Sequence, residues 1–446
     1  MKVVGIVAEY NPFHNGHLYQ IQKAKELTGA DYVVVAMSGN YVQRGTPAIL
    51  NKFERTKAAI SNGADLVFEI PTIWSCASAE YFAAAAIALF ERLGFVDYIS
   101  FGCETPNPGM FETIALILNE EPQEFRAFLS NAVKMGLPFP AAREYAFIHY
   151  LKNTDHSAFP LLSEDKIMQI KQILSSPNNI LGIEYIRELL RRHSKIRAVP
   201  IQRIESGYHE QNLTGTISSA TSVRKKVFQL CDLESDPLSS LTYFKNNPEY
   251  VLESRILYDM DLTASLPQET MYSLTQNASC LMHDDFFSEI LYAKLLLEPA
   301  DSLAFYADCS LFLANRIKKL LPYYHSFSQF CDLIKSRDMT YTRISRVLMH
   351  ICLGMQSTDY KLGRNLDYIP YLRILGLKRE ASHLLRNRDP NDVPIIQKIT
   401  QADKLDASAR WMLDLDAKVS DLYYGLSSFQ SDSLIKTEAK QEIIVR

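Results

Sequence analysis

The segment Val3-Val-Gly-Ile-Val-Ala8 is followed by Glu9-Tyr-Asn-Pro-Phe13 and then by His14-Asn-Gly-His17, and this order decides the fold. The continuous apolar run predicts a strand that is buried on both faces, as in parallel sheets. The residues around Pro12 predict a turn, and apolar positions recur with helical spacing from Leu18 onward. The two histidines therefore fall where a buried strand ends and a helix begins, which is the edge where open α/β sheets bind ligands.

This turn has the chemistry of an anion site. A helix N-terminus offers N–H groups without partners and the positive end of the helix dipole. Gly16 allows a phosphate to approach the backbone closely, and His14 and His17 can donate hydrogen bonds to phosphate oxygens as negative charge develops. An isolated histidine at a helix start is more often a cap or a surface residue. The pair and its setting favour a phosphate site.

Four further segments predict buried strands of the same sheet, and helical segments alternate with them. This alternation predicts an α/β fold with a Rossmann-like, doubly wound parallel sheet. Residues of about 109–175 have helical patterns and predict a helical insertion between two strands. The predicted strands cover residues 31–37, 64–71, 97–104 and 196–201.

Two other segments carry residues suited to anions. Ser219 is a good N-cap residue with Arg224 shortly after it, so the pair predicts a second phosphate cradle, although a plain helix cap is the simpler interpretation. Lys52 and Arg55 lie in the first turns of a predicted helix, where cations oppose the helix dipole. They form either a solvated basic face or a binding site for a phosphate or carboxylate, and we predict that Lys52 or Arg55 holds a small carboxylate.

Length and composition limit the possible classes of protein. With 446 residues, the chain predicts two domains, at 1–228 and 229–446, of which the second is mainly α-helical. No apolar stretch long enough to span a membrane and no secretory signal is recognisable. Seven scattered cysteines without a Cys-x-x-Cys pair predict reduced thiols, a cytoplasmic location and no zinc site. The net charge of −4 restricts any RNA-binding surface to a local patch.

Four motifs together resemble the bacterial tRNA(Met) cytidine acetate ligase family, within the His-x-Gly-His nucleotidyltransferase superfamily. They are Glu9-Tyr-Asn-Pro-Phe-His-Asn-Gly-His17, Ser38-Gly-Asn-Tyr-Val-Gln-Arg-Gly45, Gly63-Ala-Asp-Leu-Val-Phe-Glu-Ile-Pro71 and Ser176-Pro-Asn-Asn-Ile-Leu-Gly182. The resemblance implies that acetate attacks the α-phosphate of ATP, and that the resulting acetyl-adenylate acetylates the wobble cytidine of elongator tRNA(Met). The product would be N4-acetylcytidine.

The resemblance and the residue chemistry together give a set of predicted site residues. We expect His14, His17 and Lys52 to be catalytic and Mg²⁺ to bind through the triphosphate, with no protein metal ligand assigned. The predicted ATP-binding residues are Val7, Ala8, Glu9, Tyr10, Asn11, Pro12, Phe13, His14, Asn15, Gly16, His17, Gln20, Gly102, Asn178, Asn179, Arg203, Ser219 and Arg224. The predicted tRNA-binding residues are Arg343, Arg346, Lys378 and Arg379.

The C-terminal half carries the expected RNA surface. Basic residues and tyrosines are interleaved between residues 316 and 379, and RNA needs both charge for phosphates and stacking surfaces for unpaired bases. A solvated helical surface with core tyrosines explains the same composition. Some of the arginines could instead face the nucleotide across a cleft between the domains.

Two other functions remain open at the level of the sequence. One is a small-molecule adenylyl- or cytidylyltransferase, which would not need the basic, tyrosine-rich half. The other is a non-catalytic RNA-binding protein that retains a nucleotide-binding fold. Intact His14, Gly16, His17, Ser219 and Arg224 argue against the second.

Overall fold

The computed structural model describes residues 1–137, 139–153, 164–204, 217–231, 249–386, 388, 392–431 and 435–446. The strands are β1 (Val3–Ala8), β2 (Tyr32–Ser38), β3 (Tyr41–Val42), β4 (Thr46–Pro47), β5 (Leu66–Ile70), β6 (Tyr98–Cys103), β7 (Arg197–Gln202), β8 (Leu372–Leu377), β9 (Ile395–Ile396) and β10 (Ile444–Val445).

Helices surround the sheet and fill most of the C-terminal half. In the first half they are α1 (Asn15–Thr28), α2 (Lys52–Ser61), α3 (Thr72–Ser75), α4 (Ala79–Leu93), α5 (Pro108–Glu120), α6 (Gln123–Lys134), α7 (Phe139–Asn153), α8 (Glu164–Ser175), α9 (Pro177–Arg191) and α10 (Ala220–Leu230). In the second half they are α11 (Glu249–Leu257), α12 (Met260–Ser265), α13 (Gln268–Gln276), α14 (Ser288–Leu297), α15 (Ala300–Leu303), α16 (Leu311–Leu320), α17 (Phe327–Ile334), α18 (Tyr341–Leu353), α19 (Ser357–Asn365), α20 (Ser382–Arg386) and α21 (Ala407–Ser431). None of these described helices is long and apolar enough to cross a membrane.

The main sheet confirms the predicted doubly wound arrangement. Its described strands follow the order β10-β8-β5-β2-β1-β6-β7, and β9 pairs with β8. Strands β1, β2, β5, β6 and β7 are mutually parallel, and β1 lies near the centre, almost wholly buried. The chain moves from β1 to β2 on one side and later returns to β6 on the other. This reversal places a ligand crevice at the carboxyl ends of β1 and β6.

The C-terminal half is mainly helical, as predicted, but it also contributes strands to the sheet that the sequence interpretation does not identify. Strand β8 pairs antiparallel with β5, and β9 and β10 pair parallel with β8, so the sheet crosses the predicted boundary at residue 228. Strand β8 has the sequence Leu372-Arg-Ile-Leu-Gly-Leu377. Periodicity alone cannot distinguish so short an apolar run from a buried helical segment, so the sequence does not reveal this strand. Tertiary contacts decide that this segment is a strand. Its backbone packs closely on α2, where a Cβ on Gly376 would lie 2.6 Å from Cγ2 of Thr56.

The predicted helical insertion is present between β6 and β7. Helices α5 to α8 occupy it, and α9 then packs against β6. The approach of α9 to β6 is close, since a Cβ on Gly182 would meet the Phe101 ring at 2.4 Å. This packing brings the N-terminus of α9 to the edge of the sheet where β6 ends.

Helix α18 docks directly on the loop that follows β2. The Ser345 hydroxyl donates a hydrogen bond to the Gly45 carbonyl at 2.9 Å. Gly45 has φ of +80°, and a Cβ there would lie 2.3 Å from the backbone nitrogen of Arg346. Only glycine satisfies both the backbone conformation and the close approach. The contact fixes the N-terminal part of α18 beside the ligand edge of the sheet.

Candidate active site

A cavity of about 580 Å³ opens at the carboxyl ends of the parallel strands, where the sequence places its site. A smaller recess continues from it, sharing His17 and Gln20, and reaches His14, Gly16 and Ser218. We call the two together the cleft. Ten predicted ATP-binding residues line the larger cavity: Val7, Ala8, Glu9, Tyr10, Asn11, His17, Gln20, Gly102, Asn178 and Arg203.

Helix N-termini converge on this cleft. Within the described part of the chain, α1, α4, α9, α10 and α18 each contribute their N-cap or first-turn residues to the wall. Each helix start carries N–H groups without intrahelical partners and a partial positive charge. Their convergence makes the cleft suited to a polyanion. The wall residues from these starts are His17, Ala79, Pro177, Asn178, Ala220 and Thr340.

The two histidines cap α1 with one another. His14 Nδ1 accepts a hydrogen bond from the Gly16 N–H at 3.0 Å, and His17 Nδ1 accepts one from the His14 N–H at 3.2 Å. Their rings are nearly stacked, with centroids 3.7 Å apart. Because each Nδ1 is an acceptor, each neutral imidazole carries its proton on Nε2. Both rings are thereby prepared as hydrogen-bond donors through Nε2.

Burial keeps both imidazoles neutral. Burial, together with the cations of Arg203 and Arg224, lowers the pKa of His14 from 6.5 to about 3. Burial, together with His14 and Arg203, also holds the pKa of His17 well below its usual value. At neutral pH both imidazoles are therefore uncharged in the folded protein.

Aromatic packing fixes the His17 ring. Tyr10 and Phe13 contact it with ring centroids at 4.9 Å and 5.6 Å. A Cβ on Gly16 would lie 2.8 Å from Cε1 of His14, so glycine is required for the capping geometry. The shape of the turn is fixed because its apolar residues Pro12 and Phe13 are buried. The peptide bond between Asn11 and Pro12 is cis.

Arginines supply the positive charge of the cleft. Arg224 Nη1 donates to the Asn11 carbonyl at 2.6 Å, which fixes the guanidinium beside the turn, and burial lowers the pKa of Arg224 to about 10. Arg203 is exposed at the end of β7 and lines the cleft. Arg44 also lines it, close enough to Arg224 for the two charges to repel. A bound polyanion would relieve this repulsion.

Some predicted ATP-binding residues do not line the larger cavity and instead form hydrogen bonds within the protein near it. Ser219 caps α10 by accepting from the Ser222 N–H at 3.1 Å. Asn15 donates to the Ala264 carbonyl at 2.9 Å. Asn179 is fully buried, and its side-chain oxygen accepts from the Glu104 N–H at 2.9 Å. Neither these three residues nor Pro12 and Phe13 line the larger cavity.

Lys52 lies in a buried cluster of charges and does not line the larger cavity. Its Nζ lies 2.7 Å from Glu69 and 2.9 Å from Glu438, and the lysine side chain is 1% exposed. The sequence could not reveal Glu438 as a partner, because that residue is 386 positions away. Arg55, the other candidate, is buried and donates to the backbone carbonyls of Leu50, Glu9 and Ser38. Neither cation is left for a substrate carboxylate.

The predicted tRNA-binding residues separate into two groups. Arg343 and Arg346 lie on α18 at the cleft, where Arg346 lines the wall. Lys378 and Arg379 follow β8, which runs antiparallel to β5, so they lie at the opposite edge of the sheet. Lys378 Nζ forms an ion pair there with Asp65 at 3.0 Å. The four residues therefore do not lie side by side, and their role in tRNA binding stays a prediction.

Several cleft residues escaped the sequence interpretation. Gln43 and Arg44 come from the loop after β2, Ala79 and Phe82 from α4, and Thr340 and Thr342 from the start of α18. The segment Ser38 to Gly45 is a polar, glycine-containing loop at the end of a predicted strand, on the edge where open α/β sheets bind ligands. Its position after a buried strand was a usable signal for Gln43 and Arg44, whereas the threonines reach the cleft only through tertiary packing.

The fold and the site define the class of protein. Residues 1–438 match the family described as HIGH Nucleotidyl Transferase. Two solved structures of Thermotoga maritima TmcAL are similar along the whole chain. One, bound with alpha-thio ATP, is 26% identical with a TM-score of 0.81 and coverage of 100% of both chains. The other, without ligand, is 27% identical with a TM-score of 0.84, and the match covers 100% of this chain and 99% of that one.

Curated relatives identify the family more narrowly. The tRNA(Met) cytidine acetate ligase of Acetivibrio thermocellus is 37% identical over 427 residues, 95% of this chain and 94% of that protein. The enzyme of the same name from Caldicellulosiruptor saccharolyticus is 34% identical over 445 residues, 100% of this chain and 98% of that protein. The chain belongs to the tRNA(Met) cytidine acetate ligase family.

Proposed function

We propose that this protein is an ATP-dependent ligase that activates acetate as acetyl-adenylate and acetylates the wobble cytidine of elongator tRNA(Met). The product is N4-acetylcytidine. The observation that carries the proposal is the pair of neutral histidines, which cap α1 and keep Nε2 as a donor inside a cleft of converging helix starts. The similarity to relatives with this activity and to an ATP-analogue complex supports it.

The first step is an in-line displacement at phosphorus. A carboxylate oxygen of acetate forms a bond to the α-phosphorus of ATP, and the bond from that phosphorus to the β-bridging oxygen breaks. Pyrophosphate leaves with the electron pair. Such a step depends on positioning and on stabilisation of charge, and it needs no nucleophile from the protein.

The histidines and arginines supply that stabilisation. His14 and His17 donate from Nε2 to phosphate oxygens, and both are neutral before substrate binds, so no proton has to be gained or lost beforehand. Arg224 and Arg203 contribute fixed positive charge beside them. We assign ATP to the crevice between β1 and β6, where Gly102 and Asn178 complete the wall.

Mg²⁺ fits this site as a companion of ATP. The charged residues of the described cleft wall are arginines, with Glu9 as its one carboxylate, and Glu9 already accepts from the Gln43 N–H at 2.9 Å. Mg²⁺ prefers oxygen ligands, so the triphosphate itself would hold it. The ion supplies additional neutralisation of the phosphate charge.

The second step transfers the acetyl group. The exocyclic N4 of cytidine attacks the carbonyl carbon of acetyl-adenylate, AMP leaves with the electrons of the C–O bond, and the amine loses a proton. No cysteine is required as an intermediate carrier. Cys103, the cysteine next to the cleft, is buried, and burial raises its pKa to about 12, so it supplies no thiolate at neutral pH.

The tRNA reaches the cleft from its mouth. Arg44 and Arg203 are exposed there, and the side chain of Arg343 is 41% exposed on α18. These cations suit the phosphates around a splayed nucleotide. We also propose that residues 1–228 form the ATP-binding part, that the helices of 229–446 supply most of the tRNA surface, and that the protein acts in the cytoplasm, as its free thiols favour.

A labelled-acetate assay tests the function. Purified protein is incubated with labelled acetate, ATP, Mg²⁺ and elongator tRNA(Met), and acetyl label in the tRNA that depends on ATP is the expected result. Acetate-dependent pyrophosphate release without labelled tRNA would refute the assigned acceptor. Absence of any acetate-dependent release would refute the ligase and favour a small-molecule nucleotidyltransferase.

A further inference from the structure

The cleft extends beyond the part assigned to ATP. The crevice between β1 and β6 carries His17, Gly102 and Arg203. On the other side of β1, at the ends of β2 and β5, the same cavity continues to Gln43, Phe82 and the start of α18. We call this second part the β2 end of the cleft. Its chemistry differs from that of the phosphate end.

Arg346 is the less exposed of two arginines near the β2 end, the other being Arg44 of the loop after β2. Arg346 lines the cavity, and its Nε is buried without a hydrogen-bond partner in the described part of the chain. Asp308, the carboxylate whose charge acts on Arg346, forms its ion pair with Arg343 at 3.6 Å. Burial lowers the pKa of Arg346, which shows that its surroundings solvate the charge poorly. Such a guanidinium is prepared for an anion from outside the protein.

The position of Arg346 is fixed by the backbone. The Gly45 contact and the Ser345 hydrogen bond hold its Cα against the loop after β2. Arg346 also acts electrostatically on the Cys76 thiol, opposing the rise in pKa that burial causes. The guanidinium therefore lies beside the segment that leads from Cys76 into α4.

An apolar wall faces the same end of the cleft. Ala79 and Phe82 occupy the first turn of α4 and both line the cavity. Ser78, the N-cap of α4, makes no side-chain capping bond, so the first N–H groups of this helix keep their capacity for an anion. A guanidinium, open helix N–H groups and a small apolar wall together match a short carboxylate with a methyl group.

We propose that Arg346 binds the carboxylate of acetate and that Ala79 and Phe82 enclose its methyl group. This inference rests on the proposed acetate ligase function and assigns the acetate subsite within it. The guanidinium orients one carboxylate oxygen toward the α-phosphate held at the end of β1. The subsite replaces Lys52, whose charge is taken by Glu69 and Glu438.

Two other ligands of Arg346 are less consistent with the structure. ATP phosphates are already matched by His14, His17, Arg203 and Arg224 at the other end of the cleft. RNA phosphates remain outside, where Arg343 is half-exposed, whereas the Arg346 Nε is buried. Both become outcomes of the test.

The test measures acetate-dependent exchange of pyrophosphate into ATP, without tRNA. We expect Arg346→Gln to raise the KM for acetate about 10- to 100-fold, the loss expected for a charge-assisted contact, with the KM for ATP changed less than about 2-fold. Arg346→Lys keeps the charge but not the planar fork and gives an intermediate KM for acetate. Ala79→Val, which narrows the wall, raises the KM for acetate by about 10-fold.

The controls separate this inference from the function on which it rests. Arg410→Gln, on the exposed face of α21 with Asp403 at 3.1 Å, keeps both KM values of the wild type. An equal rise of both KM values in Arg346→Gln would assign Arg346 to ATP and overturn the inference. Normal exchange with loss of tRNA acetylation alone would assign it to RNA and also overturn it. A wild-type protein without acetate-dependent exchange would overturn the proposed function itself.

Discussion

The Lys52→Met substitution removes one of two cations, Lys52 and Arg373, from a buried cluster of charges. Lys52 Nζ contacts Glu69 at 2.7 Å and Glu438 at 2.9 Å, and the three side chains are 1–2% exposed. Removing one partner of a buried ion pair costs about 3–5 kcal/mol, because the remaining charge stays desolvated. Burial raises the pKa of Glu69 to about 7 even with Lys52 present, so without Lys52 this carboxyl takes up a proton at neutral pH. We therefore expect Lys52→Met to lower the free energy of unfolding by about 3 kcal/mol, the lower end of that range.

Thermal unfolding measures the loss. An unfolding entropy of about 2.1 cal/mol/K per residue gives about 0.9 kcal/mol/K for the 446 residues, so 3 kcal/mol lowers the Tm by about 3 °C. Lys57→Met, on the same helix, is the matched control. Lys57 is 36% exposed and pairs with Glu54 at 2.6 Å, and such surface pairs contribute at most about 1 kcal/mol. Its Tm should stay within about 1 °C of the wild type.

Kinetics then decide between a structural and a catalytic role for Lys52. Below the Tm, the folded Lys52→Met variant should keep the wild-type KM for acetate in pyrophosphate exchange. An unchanged Tm combined with an acetate KM raised 10-fold or more would refute the structural interpretation and return the acetate carboxylate to Lys52.

Three further predictions concern the phosphate end of the cleft. Gly16→Ala displaces the His14 ring, which a Cβ would meet at 2.8 Å, and should slow acetate-dependent exchange about 100-fold, whereas an unchanged rate would contradict the capping role. Folding lowers the pKa of His14 from 6.5 to about 3, so between these values His14 is protonated in the unfolded chain and neutral in the folded protein. The free energy of unfolding therefore falls by about 1.4 kcal/mol for each pH unit below pH 6.5. Urea unfolding at pH 7, 6 and 5 should show a smaller slope in His14→Gln, and equal slopes would refute the assignment. Arg224→Gln loses the bond to Asn11 and should raise the KM for ATP about 10- to 100-fold, with the KM for acetate as the control.

The N-terminal part of the fold was predictable because its signals are local. The predicted strand at residues 3–8 is β1 without change, and the two histidines fall at the start of α1 as expected. A buried strand, a turn and a helix cap are each encoded within a few neighbouring residues. The carboxyl edge of a parallel sheet then follows from the order of the elements.

The remainder depended on contacts between distant residues. Strand β8 has six residues, and its state is decided by α2 and β5, which precede it by about three hundred positions. In the sequence, nothing distinguishes Arg346 from any surface arginine on a basic helix. Only the docking of α18 at Gly45 turns it toward the cleft. Sequence patterns could therefore identify these residues but not assign them to a site.

The two ends of the cleft divide the chemistry in the same way. The phosphate end is built from one continuous turn and the starts of neighbouring helices, so any nucleotidyltransferase of this fold could keep it while changing its second substrate. The β2 end instead needs Arg346 from the C-terminal half against α4 from the N-terminal half. A carboxylate can be positioned there only when α18 is docked, because Arg346 reaches the cavity through that contact. The C-terminal half thus contributes to the adenylation step itself, before any tRNA is bound.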